Sequence, residues 1–448
     1  MAKASSLNSL LVSIVRLVLA IEPWFAFFIM LMCTGAFFDI YEEAGYGVAR
    51  IKFYLWKLLE IGAVGFMLLR WQRVLRQLAT NGKFLLAFLA LLWISRYWSI
   101  DPGKTITQTL YVVESSILGI YIATRYNFEE QTRLLTIMFS IASVLSIFYV
   151  FAMPTMGTHT GQEAIWAGIN GYWRGIYTNK NALGRVITIA GIFLLLEALT
   201  SKNRWLAWGI FLISFQLIVG TNSKTALVGF LFIVAISPVA RVFRWNMAVG
   251  IPLYLSVLLL GGVGAIFLGD NWNTALDTID KDPTLNGRLP IWEIMIQRIG
   301  ERPWLGYGYH GFWQGWDGKQ SAEIWRTIHW LPGHAHHGFL EVMLDLGILG
   351  GFVFGLAFFD AILKSINRSR YTPSLKGLWP LGFMTFYVIM NQTQSELVVA
   401  YGIGWLLFML ICLTPVEPPA EDSKLKSSSD RLGSAPKLTG SSKLKSRG

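Results

Sequence analysis

Apolar side chains run along this 448-residue chain in long blocks rather than in short alternating stretches. The blocks lie near residues 24–38, 53–69, 84–97, 106–123, 134–153, 182–199, 206–220, 226–239, 247–268, 338–363, 377–390 and 397–413. A helix that crosses a bilayer needs ~20 mostly apolar residues, so this pattern predicts about twelve transmembrane helices. A shorter apolar lead-in at 5–20 is expected at the interface. The longest polar interval, about 269–337, falls between the ninth and tenth blocks. Within it Trp272, Leu276 and Ile279 share one helical face. A second short helix is predicted to open at Pro290 and close at Gly300, with Ile291, Trp292, Met295 and Ile299 as its apolar stripe. Residues 414–448 are rich in Pro, Ser and Lys without apolar periodicity, and are expected to form a disordered basic tail. The predicted fold is an all-α polytopic membrane domain over 1–413.

Composition supports the bilayer. The chain is 54% hydrophobic and 15% charged, against roughly 25% charged in soluble domains. The net charge of +11 does not point to nucleic acid, because Lys and Arg sit in short loops and in the tail. They also set orientation. Arg70, Arg73, Arg76, Lys83, Arg125, Arg133, Lys202, Arg204, Arg241, Arg244, Lys364, Arg368, Arg370 and Lys376 mark one side as cytoplasmic. Both termini fall there, and the long loop faces out. The N-terminus carries no cleavage site before the first block and reads as uncleaved. Cys33 and Cys412 lie inside apolar blocks, so neither a disulfide framework nor a zinc site is expected.

The candidate chemistry gathers on the outer side. All six histidines, His159, His310, His329, His334, His336 and His337, lie in outer loops. Neutral imidazole suits a general base near ambient pH. His336 sits where the chain dips into the tenth block, and is the preferred base. His310 and His329 are expected to be hydrogen-bonded surface residues. The His334–His337 cluster lacks the third or fourth ligand a metal needs, so no metal is expected. Asp280-Lys281-Asp282 reads as a solvated turn before Pro283. Glu341, four residues after His337, either orients an imidazole or pins the helix as a buried acid. Lys180, Arg185, Lys224 and Arg288 also sit on the outer side, against the topological charge bias. Together they suit a diphosphate, although any one of them is explained by snorkelling. Tryptophans crowd the loop, Trp292 among them, as belt and loop core. Glu60 and Glu114 lie within apolar blocks. They mark a transport pathway, or they are locally paired, as Lys57 would pair Glu60. No phosphate-cradling loop and no nucleophile elbow occurs.

An ordered set of motifs then carries a resemblance. Trp98-Ser99-Ile100-Asp101-Pro102-Gly103 is followed by Tyr177-Thr178-Asn179-Lys180-Asn181-Ala182-Leu183-Gly184 and by Ser223-Lys224-Thr225-Ala226-Leu227. Then come Gly287-Arg288-x-x-Ile291-Trp292, Pro303-Trp304-Leu305-Gly306-Tyr307-Gly308 and Ala335-His336-His337-Gly338-Phe339-Leu340-Glu341. From about Trp98 to Leu413 the chain resembles the O-antigen ligase/polymerase superfamily, with the first motif closest to its exopolysaccharide-polymerase branch. The resemblance implies a GT-C-type glycosyltransferase of the bacterial inner membrane with a periplasmic active site, metal-independent, inverting and without cofactor. It implies a donor glycan on undecaprenyl diphosphate, and as acceptor lipid A-core in ligases or another repeat unit in polymerases. The family's catalytic His falls on His336. Its usual follower is Asn, Ser or Gln, where this chain has His337, which leaves two imidazoles as candidates for the base. The family's Arg before the loop helix falls on Arg288, and its Arg in the short outer turn is Lys224 here. Arg185 and Lys180 join the diphosphate set by placement alone, and His337, Glu341 and Trp292 are taken as supporting residues. The competing readings are a transporter or flippase for a polysaccharide precursor or small anion, and a non-catalytic partner in polysaccharide secretion.

Overall fold

The structure is a computed structural model that describes residues 13, 20–43, 45–166, 168–223, 226–227, 229–231, 234, 248–253, 256, 288–328, 331–392 and 394–416. Its helices belong to one unit, Met1–Pro415; a second begins at Val416, and the expected disordered tail lies almost wholly outside the described residues. The principal helices are α1 (Ala20–Met32), α2 (Ala49–Leu68), α3 (Trp71–Asn81), α4 (Lys83–Ile94), α5 (Pro102–Arg125), α6 (Phe128–Ala152), α7 (Lys180–Thr200) and α8 (Arg204–Gly220), followed by α9 (Arg288–Glu301), α10 (Lys319–Ile328), α11 (Gly338–Tyr371), α12 (Trp379–Met390) and α13 (Ile403–Leu413). Among the described residues there is no β-strand beyond one isolated bridge, Thr158 to Trp173. The protein is an all-α, multi-pass membrane protein.

Hydropathy places the long helices well, and local chemistry sets their ends. Asp101 caps α5 by accepting from the Lys104 N–H, with Pro102 at the first position, where a missing N–H costs nothing. Asn127 and Glu130 close a capping box on α6. Asn179 accepts from the N–H groups of Asn181 and Ala182 to start α7. Of the described helices, α5, α6, α7 and α11 are long and apolar enough to cross a membrane. A fifth span arises if α3 and α4, bent by 91° at Gly82, are counted as one. Most of the expected eighth and ninth blocks lies outside the described residues, so the expectation of twelve extends beyond them.

Two apolar blocks differ from simple spans. α13 has all but Gly404 of its side chains buried, as befits a helix that is apolar all round. At 11 residues it is shorter than the ~20 that cross a bilayer. It packs on α5 and α11; Phe408 stacks on Phe354 of α11 and on Trp405, which meets Phe88 of α4 at a tilt. The expected span at 397–413 is helical only from Ile403; the described residues between Asn391 and Gly402 are non-helical. Irregular backbone at that depth needs internal partners. Buried tyrosines supply them: Tyr387 donates to the carbonyls of Glu396 and Leu397, and Tyr309 to that of Val398. The block at 338–363 is broken at Gly347, which has φ +64°.

Basic residues read as topology markers also hold structure. The buried Glu22 pairs with Arg70 at 2.8 Å and Arg125 at 2.9 Å. Lys57 bridges Glu60 at 2.9 Å and Glu114 at 2.6 Å, and the Tyr401 hydroxyl donates to both carboxylates. Local pairing, rather than an unpaired intramembrane charge pathway, is what the structure shows for these two acids.

Candidate functional site

The break in α11 organises the site. A helix interrupted at Gly347 leaves carbonyls before it and N–H groups after it without helical partners. The segment Pro303–Gly308 takes them up. The N–H groups of Tyr307 and Gly308 donate to the carbonyls of Leu344 and Asp345, at 3.0 and 2.8 Å, and those of Ile348 and Leu349 donate to the carbonyls of Pro303 and Trp304. Two glycines permit the approach. A Cβ on Gly306 (φ +65°) would lie 2.5 Å from the Leu344 carbonyl oxygen. One on Gly347 would lie 2.4 Å from the Trp304 carbonyl carbon. The motif that the sequence shows as Pro-Trp-Leu-Gly-Tyr-Gly is thus a backbone plug in a broken membrane helix.

The Trp98–Gly103 motif docks on the same plug. Trp98 Nε1 donates to the Leu305 carbonyl at 2.7 Å, and the Ile100 N–H to that of Tyr307. Ser95 Oγ accepts from the Tyr309 N–H, and Thr105 Oγ1 donates to the Tyr309 carbonyl. Lys104 places its ammonium on the Trp313 carbonyl. The loop also builds its own small core, in which Ile291, Met295, Tyr307, Phe312, Trp313 and Leu344 pack together. Burying each such side chain contributes roughly 1.5–3 kcal/mol. The apolar stripe expected for the loop helix is the buried face of α9.

Above the break, the turn 334–337 is gripped through its backbone. Glu341 accepts from the Ala335 N–H at 2.5 Å, from Trp313 Nε1 at 2.9 Å and from Ser395 Oγ at 3.2 Å. Trp292 Nε1 donates to the Ala335 carbonyl at 3.1 Å. Both backbone groups of Ala335 are therefore held, and the next residue, His336, sits at φ +53°, a region costly for non-glycine residues unless the surroundings fix it. Glu341 matches the buried acid of the sequence reading; its oxygens go to the turn's backbone, an indole and a hydroxyl rather than to an imidazole.

The three histidines of the turn have different tasks. His337 caps α11, its Nδ1 accepting from the Leu340 N–H at 3.3 Å, while its ring meets Trp292 edge-on. His334 Nδ1 accepts from the His336 N–H at 3.2 Å, and the two rings lie 3.9 Å apart. A neutral imidazole whose Nδ1 accepts carries its proton on Nε2 and has no second lone pair. His334 and His337 in their neutral forms thus spend their basic nitrogen on backbone. Burial holds the His337 pKa below the usual imidazole range.

Behind the turn lies a cavity of about 450 Å³. Its walls include Tyr309, His310, His334, Glu341, Asp345, Ser395 and Tyr401. His310 is not the surface residue expected from sequence: it sits in the cavity wall at φ +53°, edge-on to Tyr309. Burial, with Lys104 and His334 nearby, pushes its pKa down to about 4. The fold therefore favours neutral His310, and its contribution is complete above the unfolded value of ~6.5. That contribution, about 3 kcal/mol at most, is lost as pH falls from ~6.5 towards 4. In detergent titrations His310→Asn is expected to flatten the loss of stability over this interval. A slope equal to the parent's would assign it to other groups.

A second cavity, about 250 Å³, is lined by Arg185 and Lys52 and shares Glu396, Val399, Ala400 and Tyr401 with the first. Arg185 forms an ion pair with Glu396 and reaches Gln394 Oε1 at 3.4 Å. Lys180 lies over the Tyr172 ring, 4.2 Å from its centroid, and its N–H donates to His159 Nε2. Arg288 opens α9, but its side chain, like all of Lys224, His329 and the Asp280–Asp282 triplet, lies outside the described residues. The structure thus holds Trp292, His337 and Glu341 around the turn that carries His336, whose own ring packs on His334; Arg185 lines the second cavity, and His336 is in the lining of neither. Sequence reasoning passed over Tyr309, Ser395 and Glu396, and read Trp313 only as belt or loop core. The polar run Asn391–Glu396 inside an apolar stretch was the available signal. Among the described residues no group of three His, Cys, Asp or Glu side chains is placed to hold a metal.

A family model described as O-antigen ligase matches residues 209–355, a range that takes in Arg288, the plug and the histidine turn. The exopolysaccharide production protein ExoQ of Rhizobium meliloti is 21% identical over 72% of this chain and 74% of its own. A protein of Rickettsia felis named "Putative polysaccharide ligase" is 22% identical over 71% of this chain and 77% of its own. One of the same descriptive name from Rickettsia prowazekii is 28% identical over 33% of this chain and 37% of its own. With its motifs in family order, the chain is similar to proteins of the O-antigen ligase/polymerase superfamily.

Proposed function

We propose that this protein is a membrane glycosyltransferase acting in polysaccharide ligation or polymerisation. It moves a glycan from a polyprenyl diphosphate, undecaprenyl diphosphate in bacteria, to an acceptor hydroxyl at the periplasmic face of the inner membrane. His336 removes the proton from the acceptor hydroxyl, which attacks the anomeric carbon opposite the leaving group and inverts it. Arg288, Lys224, Arg185 and Lys180 stabilise the charge that develops on the departing diphosphate, as a preorganised cationic site does. No metal or cofactor enters the scheme.

One observation supports the reading most: in a turn clamped at Ala335, both neighbours of His336 give their Nδ1 to backbone N–H groups. That favours His336 over His337 as the base. It also accounts for the unusual follower. Asn and Ser, which commonly follow the catalytic His in the family, cap helices through a side-chain acceptor, and His337 performs that task with Nδ1. The resident partner of Arg185 is Glu396, so an arriving diphosphate competes with a carboxylate for a guanidinium. Arg288→Lys is expected to lower transfer at least tenfold, because an ammonium does not reproduce a bidentate grip; parent-like transfer would remove Arg288 from the phosphate contact.

A deletion strain separates the two roles. Loss of attached polymer with free lipid-linked polymer retained identifies a ligase. Accumulation of single lipid-linked repeats identifies a polymerase. Normal glycans in that strain would refute both.

A further inference from the structure

The sequence from Ile61 to Ile100 contains no Asp or Glu, and Arg70, Arg73, Arg76 and Lys83 of that stretch fall within or beside α3. Arg70 is paired with the buried Glu22. Arg73 and Arg76 are exposed, and among the described residues neither has an ion-pair partner. Three positions apart, they share one face of the helix.

The inner face of α3 fixes where the helix lies. Gln77 is buried, and its Nε2 donates to the carbonyls of Ala123 and Leu413 at 2.9 and 3.0 Å, in the last turns of α5 and α13. Carbonyls at a helix C-terminus lack helical partners, so one amide serves two helix ends. Lys364, near the end of α11 away from the histidine turn, donates to the Asn81 carbonyl. α3 therefore lies across the end of the bundle opposite that turn. It is bent by 91° from α4 at Gly82, and α4 packs on α11, which is long enough to span. A helix at a right angle to its spanning neighbours runs in the plane of the bilayer surface.

The outer face of α3 has the two sides that such a helix needs. Trp71 and Leu75, one turn apart, are 55% and 56% exposed, and Leu68 and Leu69, where α2 ends, are exposed beside them. Apolar side chains next to basic ones are the pattern of a helix seated between headgroups and acyl chains, and Trp favours that depth. Guanidinium groups take phosphate through paired hydrogen bonds. A zwitterionic headgroup brings a cation of its own to this acid-free surface, so the charge favours a headgroup that is anionic overall.

We propose that α3 is a binding site for anionic phospholipid: Trp71 and Leu75 enter the acyl region, and Arg73 and Arg76 hold the headgroup phosphate, in the leaflet opposite the histidine turn. The site draws on none of the transfer chemistry and is independent of it.

A fluorophore on α3 tests this. Cys33 and Cys412, the only cysteines of the chain, are both buried, so Gln72→Cys at an exposed position of α3 gives the full-length protein one accessible thiol to label. The labelled protein is placed in phosphatidylcholine nanodiscs. A small, equal fraction of either phosphatidylglycerol or phosphatidylcholine carries a nitroxide near the headgroup end of one acyl chain as quencher. At low salt, quenching by the phosphatidylglycerol probe is expected to exceed that by the phosphatidylcholine probe about fivefold, as cations near an anionic lipid allow. High salt should shrink the excess. Arg73→Gln combined with Arg76→Gln, at exposed positions without ion pairs, should keep the fold and bring the two probes to parity. Equal quenching by both probes in the parent, an excess that survives the double substitution or high salt, or no quenching by either probe would overturn the proposal.

Discussion

His336→Ala is expected to abolish glycan transfer while expression, membrane insertion and thermal stability remain those of the parent. General-base catalysis contributes roughly 10²–10⁴-fold. Neither neutral neighbour has a basic nitrogen to substitute, since His334 and His337 use Nδ1 on backbone. The ring of His336 is half-buried, lies against that of His334 and belongs to neither hydrophobic core cluster. The fold should therefore survive its loss, and an alanine at φ +53° adds no backbone penalty beyond that already present. The check is attached or elongated glycan in cells that make only the variant. Parent-like glycan would move the base elsewhere. The counterpart His337→Asn should retain most activity, because Asn supplies the same capping acceptor.

The largest effect on stability is expected from Gly347→Ala. A left-handed backbone costs an L-residue about 1–2 kcal/mol. The new Cβ would also press within 2.4 Å of the Trp304 carbonyl carbon, where backbone rather than a flexible side chain must yield. Loss of ~3 kcal/mol or more follows if the plug is displaced, with disorder of the turn it supports. Gly355→Ala, in the same helix with nothing within 4 Å of the new Cβ, is the control and should be neutral. Thermal unfolding in detergent compares the two. Equal midpoints would mean that the break in α11 is not held by the Pro303–Gly308 segment.

Much of this architecture could be read from the chain because a bilayer imposes long apolar runs. α5, α6, α7 and α8 begin and end within a few residues of their blocks, and Asp101, Asn127 and Asn179 mark three starts by ordinary capping chemistry. The helix at Arg288–Glu301 was legible from Pro290 and its apolar stripe. The break at Gly347 was not. In an apolar run a glycine reads as close packing, and nothing local distinguishes φ +64° from a helical value. The irregular stretch 394–402 was hidden for a similar reason: Val398, Val399 and Ala400 keep hydropathy high whether or not the backbone is helical. At the site, the residue types that suit transfer chemistry pointed to His336, Arg185 and Glu341. What each touches depended on contacts between distant segments: Glu341 with Ala335 and Ser395, Arg185 with Glu396, Trp98 with Leu305. Asp345 looked like one more acid in a span until its neighbours were known.

Transfer by the purified protein is the most direct test of His336 as the base of a glycosyl transfer. Full-length chain in nanodiscs is supplied with a polyprenyl-diphosphate-linked glycan and a glycan acceptor, without nucleotide or added metal. Covalent joining of glycan to acceptor, with release of the lipid diphosphate and with none from His336→Ala, is the predicted result. Movement of intact lipid-linked glycan across the bilayer without any joining would contradict it.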